Sequence, residues 1–245
     1  MFYKFKYLRF LYLVSTLFFF YCTDKSTSTF DFSNLSSGEE EVIIKQIDSL
    51  QKANVFFKTI IEELENSETP IVFSIKNDID IACFVPDKET GGGNIYFRNI
   101  ARVSDESAFI EEFFHAFQYS YYGKSSMIKN EYGEIIGGPN YEYEAKLMKA
   151  IINVILNYPS AEMPSQKGLL DFVLSLMDEK DCFSLIELSG NQHKQYINLV
   201  RHFQQHWKQR NTNEVKNNIY DDPIIEDLGS RACLHILRMN NTKDL

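Results

Sequence analysis

The chain lacks a basic stripe. Its 25 lysines and arginines are outnumbered by 34 aspartates and glutamates, giving a net charge of −9 and a pI near 5.1. Nothing in it forms the positive footprint a nucleic acid requires, so that class of partner is excluded. No apolar run reaches the roughly 20 residues that a membrane-spanning helix needs. None of the four cysteines pairs as C-x-x-C, so buried structural thiols are expected in place of zinc or redox chemistry. There is no G-x-S-x-G elbow, which removes the serine-hydrolase class, and no internal repeat. The Gly91, Gly92, Gly93 triplet has no strand-then-helix context for cradling phosphate and predicts a flexible hairpin tip.

What the chain does have begins at its N-terminus. Lys4, Lys6 and Arg9 precede an apolar run over 10–21, and Cys22 is followed at once by polar residues. This is the layout of a secretory signal. Cys22 at the junction resembles the acylated cysteine of a bacterial lipoprotein, although the large Phe20 and Tyr21 precede it; an uncleaved anchor is the other reading. The expectation is a leader over 1–22, a flexible tether over 23–38 and a single domain over 39–245. The protein would then be exported and held to a membrane, on the periplasmic or cell-surface side, through its N-terminal lipid or anchor. With Cys22 lipidated, Cys83, Cys182 and Cys233 leave an odd number of thiols.

At 245 residues and 44% hydrophobic, the chain can bury a full core. Apolar residues recur at helical spacing over 39–65, with a break expected near Asn54 and a stop at Pro70. β-Branched and aromatic residues then take over at 71–75, 80–85 and 94–100, separated by turn signals, and predict a small antiparallel sheet. Helices are expected at 104–122, with Ser104 as N-cap and Gly123 as the stop, and at 140–158, 167–177, 192–210 and 224–239. The fold class is α+β, mainly helical.

The segment 104–122, SDESAFIEEFFHAFQYSYY, carries the chemistry. At about 100° per residue, Phe109, Ile110, Phe113, Ala116 and Phe117 share one side, while Glu111, Glu112, His115, Gln118 and Tyr122 share the other. A solvated face would interleave Lys or Arg at i,i+4, and none occurs between Arg102 and Lys124. Such a face suits a bound cation or a polar cleft better than bulk water. Glu111 and His115 are four apart, the spacing by which H-E-x-x-H sets two ligands on one zinc ion with the intervening Glu as base. In this chain the string is E-E-F-F-H, with Glu111 standing where the first histidine belongs.

The following helix gives an independent signal. Glu142, Lys146, Lys149, Asn153 and Asn157 fall within one sector and read as its solvent face. Glu144 projects instead among Leu147, Met148, Ile151 and Ile155, where an unpaired carboxylate is expensive. It is expected to be buried near His115.

Sheet, E-E-x-x-H helix, loop and a second helix with an inward Glu resemble the gluzincin type of zinc metallopeptidase over roughly 71–158. The strings EEFFHAFQ and YEYEA are similar to HExxHAxQ and E-x-E-A of zincin-like proteins in exported bacterial families. The resemblance implies zinc held by Glu111, His115 and Glu144, with Glu112 as the base that activates water on a peptide carbonyl. An added anionic ligand makes the metal a poorer Lewis acid or favours a harder ion such as Mn²⁺. Three alternatives stand beside an active peptidase. One is a degenerate, weakly active or inactive descendant. Another is a non-catalytic surface lipoprotein that binds a protein or peptide with the cleft or the C-terminal helices. The last is a structural network in which Glu144 bonds His115 or a tyrosine hydroxyl. The Glu112/His115 E-x-x-H element has no second copy and does not make a di-iron bundle. The i,i+4 pair His202 and His206 fits a solvated or rim position, and His193 and His235 have no evident partners.

Overall fold

The computed structural model describes residues 29–67, 69–123, 138–157, 166–177, 190–210 and 232–241. The leader over 1–22, with Cys22, lies outside the described residues. None of the described helices is long and apolar enough to cross a membrane.

The first helix, α1 (Ser37–Ala53), starts where Ser36 and Glu39 exchange side-chain to backbone hydrogen bonds, a capping box. The expected break falls at Asn54, whose extended backbone ends α1. Its side chain accepts from Phe57 N at 2.9 Å to open α2 (Val55–Asn66). Helix α2 buries Phe56, Phe57, Ile60, Ile61 and Leu64 and packs on α1 and the central helix, where Phe57 meets Phe109 and Phe113.

The strands are β1 (Phe30–Asp31), β2 (Ile71–Ile75), β3 (Ala82–Pro86) and β4 (Gly93–Phe97), in spatial order β1-β2-β4-β3. The expected antiparallel sheet is in fact mixed: β1–β2 and β2–β4 are parallel, and only β3–β4 is antiparallel. After β2 the chain passes to the outer edge, runs back as β3, and turns at Asp87–Gly92 to slot β4 between them. The glycine triplet makes that turn possible. A Cβ on Gly92 would lie 1.8 Å from Pro70 O, and Gly93 N donates to Pro70 O at 3.0 Å. Close backbone approach, not only a loose tip, requires glycine there. Part of the predicted tether also belongs to the fold, because Phe30 packs on Phe73 and Phe113 and Phe32 stacks on Phe73.

A short 3₁₀ turn (Ile100–Ser104) leads into α3 (Glu106–Tyr122). Asp105, not Ser104, is the cap, accepting from Ala108 N at 3.2 Å, while Ser104 Oγ donates back to Ala101 O at 2.7 Å. Gly123, at φ 83°, ends the helix as the sequence predicts. Phe113 on α3 is the hub of the aromatic core, with ring centroids 4.8 Å from Phe109, 5.5 Å from Phe57 and 5.7 Å from Phe73. The remaining helices are α4 (Gly138–Ile155), α5 (Leu169–Ser175), α6 (Gly190–Arg210) and α7 (Ala232–Asn241). Helix α7 closes over α2 and α3, where Thr59 Oγ1 donates to Asn240 Oδ1 at 3.0 Å. Helix α3 is therefore enclosed by sheet and helices, and even its polar side chains Glu111, His115 and Gln118 are buried.

Phe113→Ala should destabilise the protein by about 4 kcal/mol, the range for truncating a fully buried phenylalanine. Denaturant unfolding measures it; a loss below about 1 kcal/mol would place Phe113 outside the cooperative core.

Candidate functional site: a buried acid, imidazole and lysine cluster

Two helices build the site. On α3, Glu111 and His115 lie one turn apart. On α4, Glu142, Lys146, Lys149 and Asn153 follow at helical spacing. The sector that reads as a solvent face in the sequence is turned toward α3, which is why Asn153 is buried and both lysines are only partly exposed. The cations missing from α3 come from its neighbour. Lys146 Nζ bonds Glu111 Oε1 and Lys149 Nζ bonds Glu111 Oε2, with all three side chains largely withdrawn from water. Burial pushes the Glu111 carboxyl up, but the two ammonium groups and the nearby His115 outweigh it and hold its pKa at about 2.

His115 is fixed through its other neighbours. Gln118 Nε2 donates to Glu144 Oε2 at 2.7 Å and to Tyr141 O at 3.1 Å. That orients Gln118 Oε1, 2.9 Å from His115 Nδ1, as the acceptor of an Nδ1–H. Nε2 is left facing Glu142 Oε1 at 3.6 Å. Two lone pairs would repel across that gap, so a proton or another cation must sit on the Nε2 side. Burial alone would lower the His115 pKa; the Glu142, Glu112 and Glu111 carboxylates override it and raise it, which makes the imidazolium the form that fits.

Glu112 points to the sheet. Its Oε2 accepts from Phe84 N on the edge strand β3 at 2.6 Å. Burial raises its pKa, and the Glu111 and Glu142 charges add to that against His115 and the Phe84 N–H. Cys83, the neighbouring thiol, is pushed up by burial and by Glu112, so it is not an activated thiolate.

Glu144 is buried as expected, yet it serves a different end. Besides Gln118, its carboxylate accepts from Tyr122 OH at 2.9–3.0 Å and from Cys233 N at 3.0 Å. Tyr122 OH also accepts from Ala232 N at 2.9 Å. The first amides of α7 are thus satisfied by Tyr122 and Glu144, with the negative charge at the positive end of the helix. Gln118 stands between Glu144 and His115. Among the described residues, the three groups that could converge on one ion are Glu111, His115 and Glu142, whose donor atoms lie within 4.8 Å of one another. The sequence expectation of Glu144 in that set gives way to Glu142, two residues earlier and on the other face of α4.

Of the remaining histidines, His235 Nε2 lies 2.9 Å from Glu63 Oε2, with its ring beside those of Phe117 and Tyr121. His202 and His206 meet edge to face at 4.6 Å. Sequence reasoning missed the lysines and Glu142, although their one-turn spacing matched that of Glu111 and His115 on α3.

A cleft of about 480 Å³ opens beside Glu111 and Glu112, walled by Lys146, Lys149 and Asn153 of α4 and by the start of β3. No family model matches the chain, and no curated protein or solved structure is found to be similar to it.

Because the folded pKa of Glu111 lies below its ordinary value of 4.5, its contribution to stability is complete above that pH and disappears as pH falls toward about 2. That contribution is about 3 kcal/mol. Glu111→Ala should cost a similar amount near neutral pH by leaving two lysines facing each other, and should flatten the acid limb of the stability curve. Urea unfolding between pH 7 and pH 3 measures both; an unchanged acid limb in Glu111→Ala would contradict the assignment.

Proposed function

We propose that this protein is an exported, zincin-like binding protein without peptidase activity, in which the cleft beside α3 takes a ligand instead of cleaving one. The observation that carries the reading is the double ion pair of Glu111 with Lys146 and Lys149. A metallopeptidase needs a cation that lowers the pKa of a bound water and an adjacent free base. Here both oxygens of the residue in the first ligand position are taken by ammonium groups, and His115 Nε2 faces a carboxylate as an imidazolium would. The donor set has the right elements for a divalent ion, but an ion at either oxygen of Glu111 would meet the lysine already bound there, so the residues do not fit zinc as they stand. Glu112, in the position of the base, accepts a backbone hydrogen bond and holds β3 to α3.

A second reading rests on the convergence of Glu111, His115 and Glu142. His115 has the partner on Nδ1 that metal-bound histidines usually have, here Gln118. Weak binding of zinc or of a harder ion such as Mn²⁺ would use these groups.

The purified protein, dialysed against zinc and then against buffer, should carry no stoichiometric metal and should leave a peptide library intact with zinc or manganese present. One equivalent of metal that is lost in His115→Ala, together with hydrolysis that is lost in Glu112→Gln, would establish a peptidase and overturn the reading. Glu111→His made together with Lys146→Met and Lys149→Met should bind zinc more tightly than the native protein, since the ammonium groups no longer fill the site and an imidazole replaces the carboxylate they held. Calorimetric titration checks this, and no gain in a folded variant would argue against zincin geometry.

Export and membrane attachment belong to the same proposal and rest on the basic start, the apolar run and Cys22. Mass spectrometry of the native protein should find residues 1–21 removed and a lipid on Cys22. An intact, unmodified N-terminus on protein from a cytoplasmic fraction would exclude it.

A further inference from the structure

The stripe that seats α6 leaves two histidines at its border. Tyr196, Val200 and Phe203 are buried, and the rings of Tyr196 and Phe203 meet Tyr143 of α4 edge to face, with centroids 5.7 and 5.5 Å apart. Those contacts set the rotation of α6. His202 and His206 then lie one turn apart on one face of the helix, both half-buried. Their rings converge, with centroids 4.6 Å apart and 71° between the planes. Neither belongs to the Glu111 cluster or lines the cleft beside α3.

Two imidazoles on one ion have a characteristic spacing. A metal–nitrogen bond of about 2.0 Å puts a ring centroid about 3.2 Å from the ion, so ligands at about 90° have centroids about 4.5 Å apart and ligands at the tetrahedral angle about 5.2 Å apart. The observed 4.6 Å matches the right angle. Square-planar and tetragonal sites with nitrogen ligands are those of Cu²⁺ and Ni²⁺, and Cu²⁺ heads the order of affinity among first-row divalent ions. Among the described residues no third His, Cys, Asp or Glu joins the pair. That works against zinc, whose sites use three or four protein ligands, and the nitrogen donors work against Mg²⁺ and Ca²⁺, which take oxygen. Each ring has two nitrogens, so one can coordinate while the other keeps a hydrogen bond.

We propose that His202 and His206 form an exchangeable Cu²⁺ site on α6, in which the two imidazoles are neighbouring ligands at a right angle and water completes the coordination. The packing of α6 on α4 holds the pair together before the ion arrives, which lowers the cost of binding. The chain's net charge of −9 favours cations over anions. Protons compete with the ion for imidazole nitrogen, so binding weakens as pH falls. The site lies outside the cleft, and the inference goes beyond the binding reading above without resting on it.

The test is calorimetric titration of the full chain, treated with chelator, with Cu²⁺ alone, paired with electron paramagnetic resonance of the copper-loaded protein. The native protein should bind Cu²⁺ with two imidazole nitrogens in its spectrum, more tightly than Ni²⁺, and should show no measurable affinity for Mg²⁺. His202→Gln and His206→Gln should each weaken Cu²⁺ binding at least about tenfold, the low end of what even an outer-shell change costs a metal site, and should remove the two-nitrogen signature. His115→Ala should leave both unchanged. Where a substitution disturbs α6, protection of His202 and His206 from diethyl pyrocarbonate by one equivalent of Cu²⁺, read by mass spectrometry of the native protein, decides in its place. Absence of Cu²⁺ binding, binding unchanged in both glutamine variants, or binding lost in His115→Ala would overturn the inference. Those outcomes leave the non-catalytic reading standing, which fails separately if zinc retained through dialysis and hydrolysis are found.

Discussion

Glu111 sits between α3 and α4 with an ammonium group on each of its oxygens, and the geometry of the cluster follows from that pairing. A carboxylate this deep is unstable alone, as are two lysines drawn together, so each requires the other. The pairing fixes the rotation of α4, placing Glu142 opposite His115 and Asn153 at the cleft. It also turns Glu144 to the opposite face. The positive charge in this acidic cluster is supplied by the chain's own side chains, and the consequence for chemistry is direct. Ammonium groups neutralise carboxylates but do not make a hydroxide from water.

A second network ties the cluster to the C-terminal helix. His115, Gln118, Glu144 and Tyr122 form a continuous path of hydrogen bonds that ends on the first amides of α7. Each member is buried or half-buried, and each bond limits the orientation of the next. The position of α7 on α2 and α3 is in this way coupled to the imidazole that faces Glu142. Buried Glu144 is a helix cap and a clamp for Gln118, which accounts for a carboxylate in the middle of an apolar face without a metal.

Much of the fold was legible because it rests on local signals: the break at Asn54, the glycine stop at Gly123, strands at β2 and β4, and the mainly helical α+β class. Strand direction was not, since the parallel pairing of β2 with β4 depends on β4 inserting between β2 and β3, and periodicity carries no information on insertion. Phe30 and Phe32 lay inside a stretch whose serines and threonines read as a tether; only the rings' fit against Phe73 and Phe113 reveals them as core. In the site, the burial of Glu144 and the polar face of α3 could be read from periodicity. The role of Glu144 could not, because its partners Ala232 and Cys233 are far away in sequence. The lysines were misjudged as solvent-facing for a related reason: a polar sector looks the same whether it meets water or the acidic face of another helix.

The most direct test of the account is a zinc titration of Lys146→Met/Lys149→Met beside the native protein, read by calorimetry and by the thermal unfolding midpoint. If the lysines occupy the place of the metal, removing them frees both oxygens of Glu111. The double variant should then bind zinc near one equivalent and be stabilised by it, while the native protein is unaffected. Equal, stoichiometric zinc binding by both proteins would contradict the account and return the cluster to a metal site.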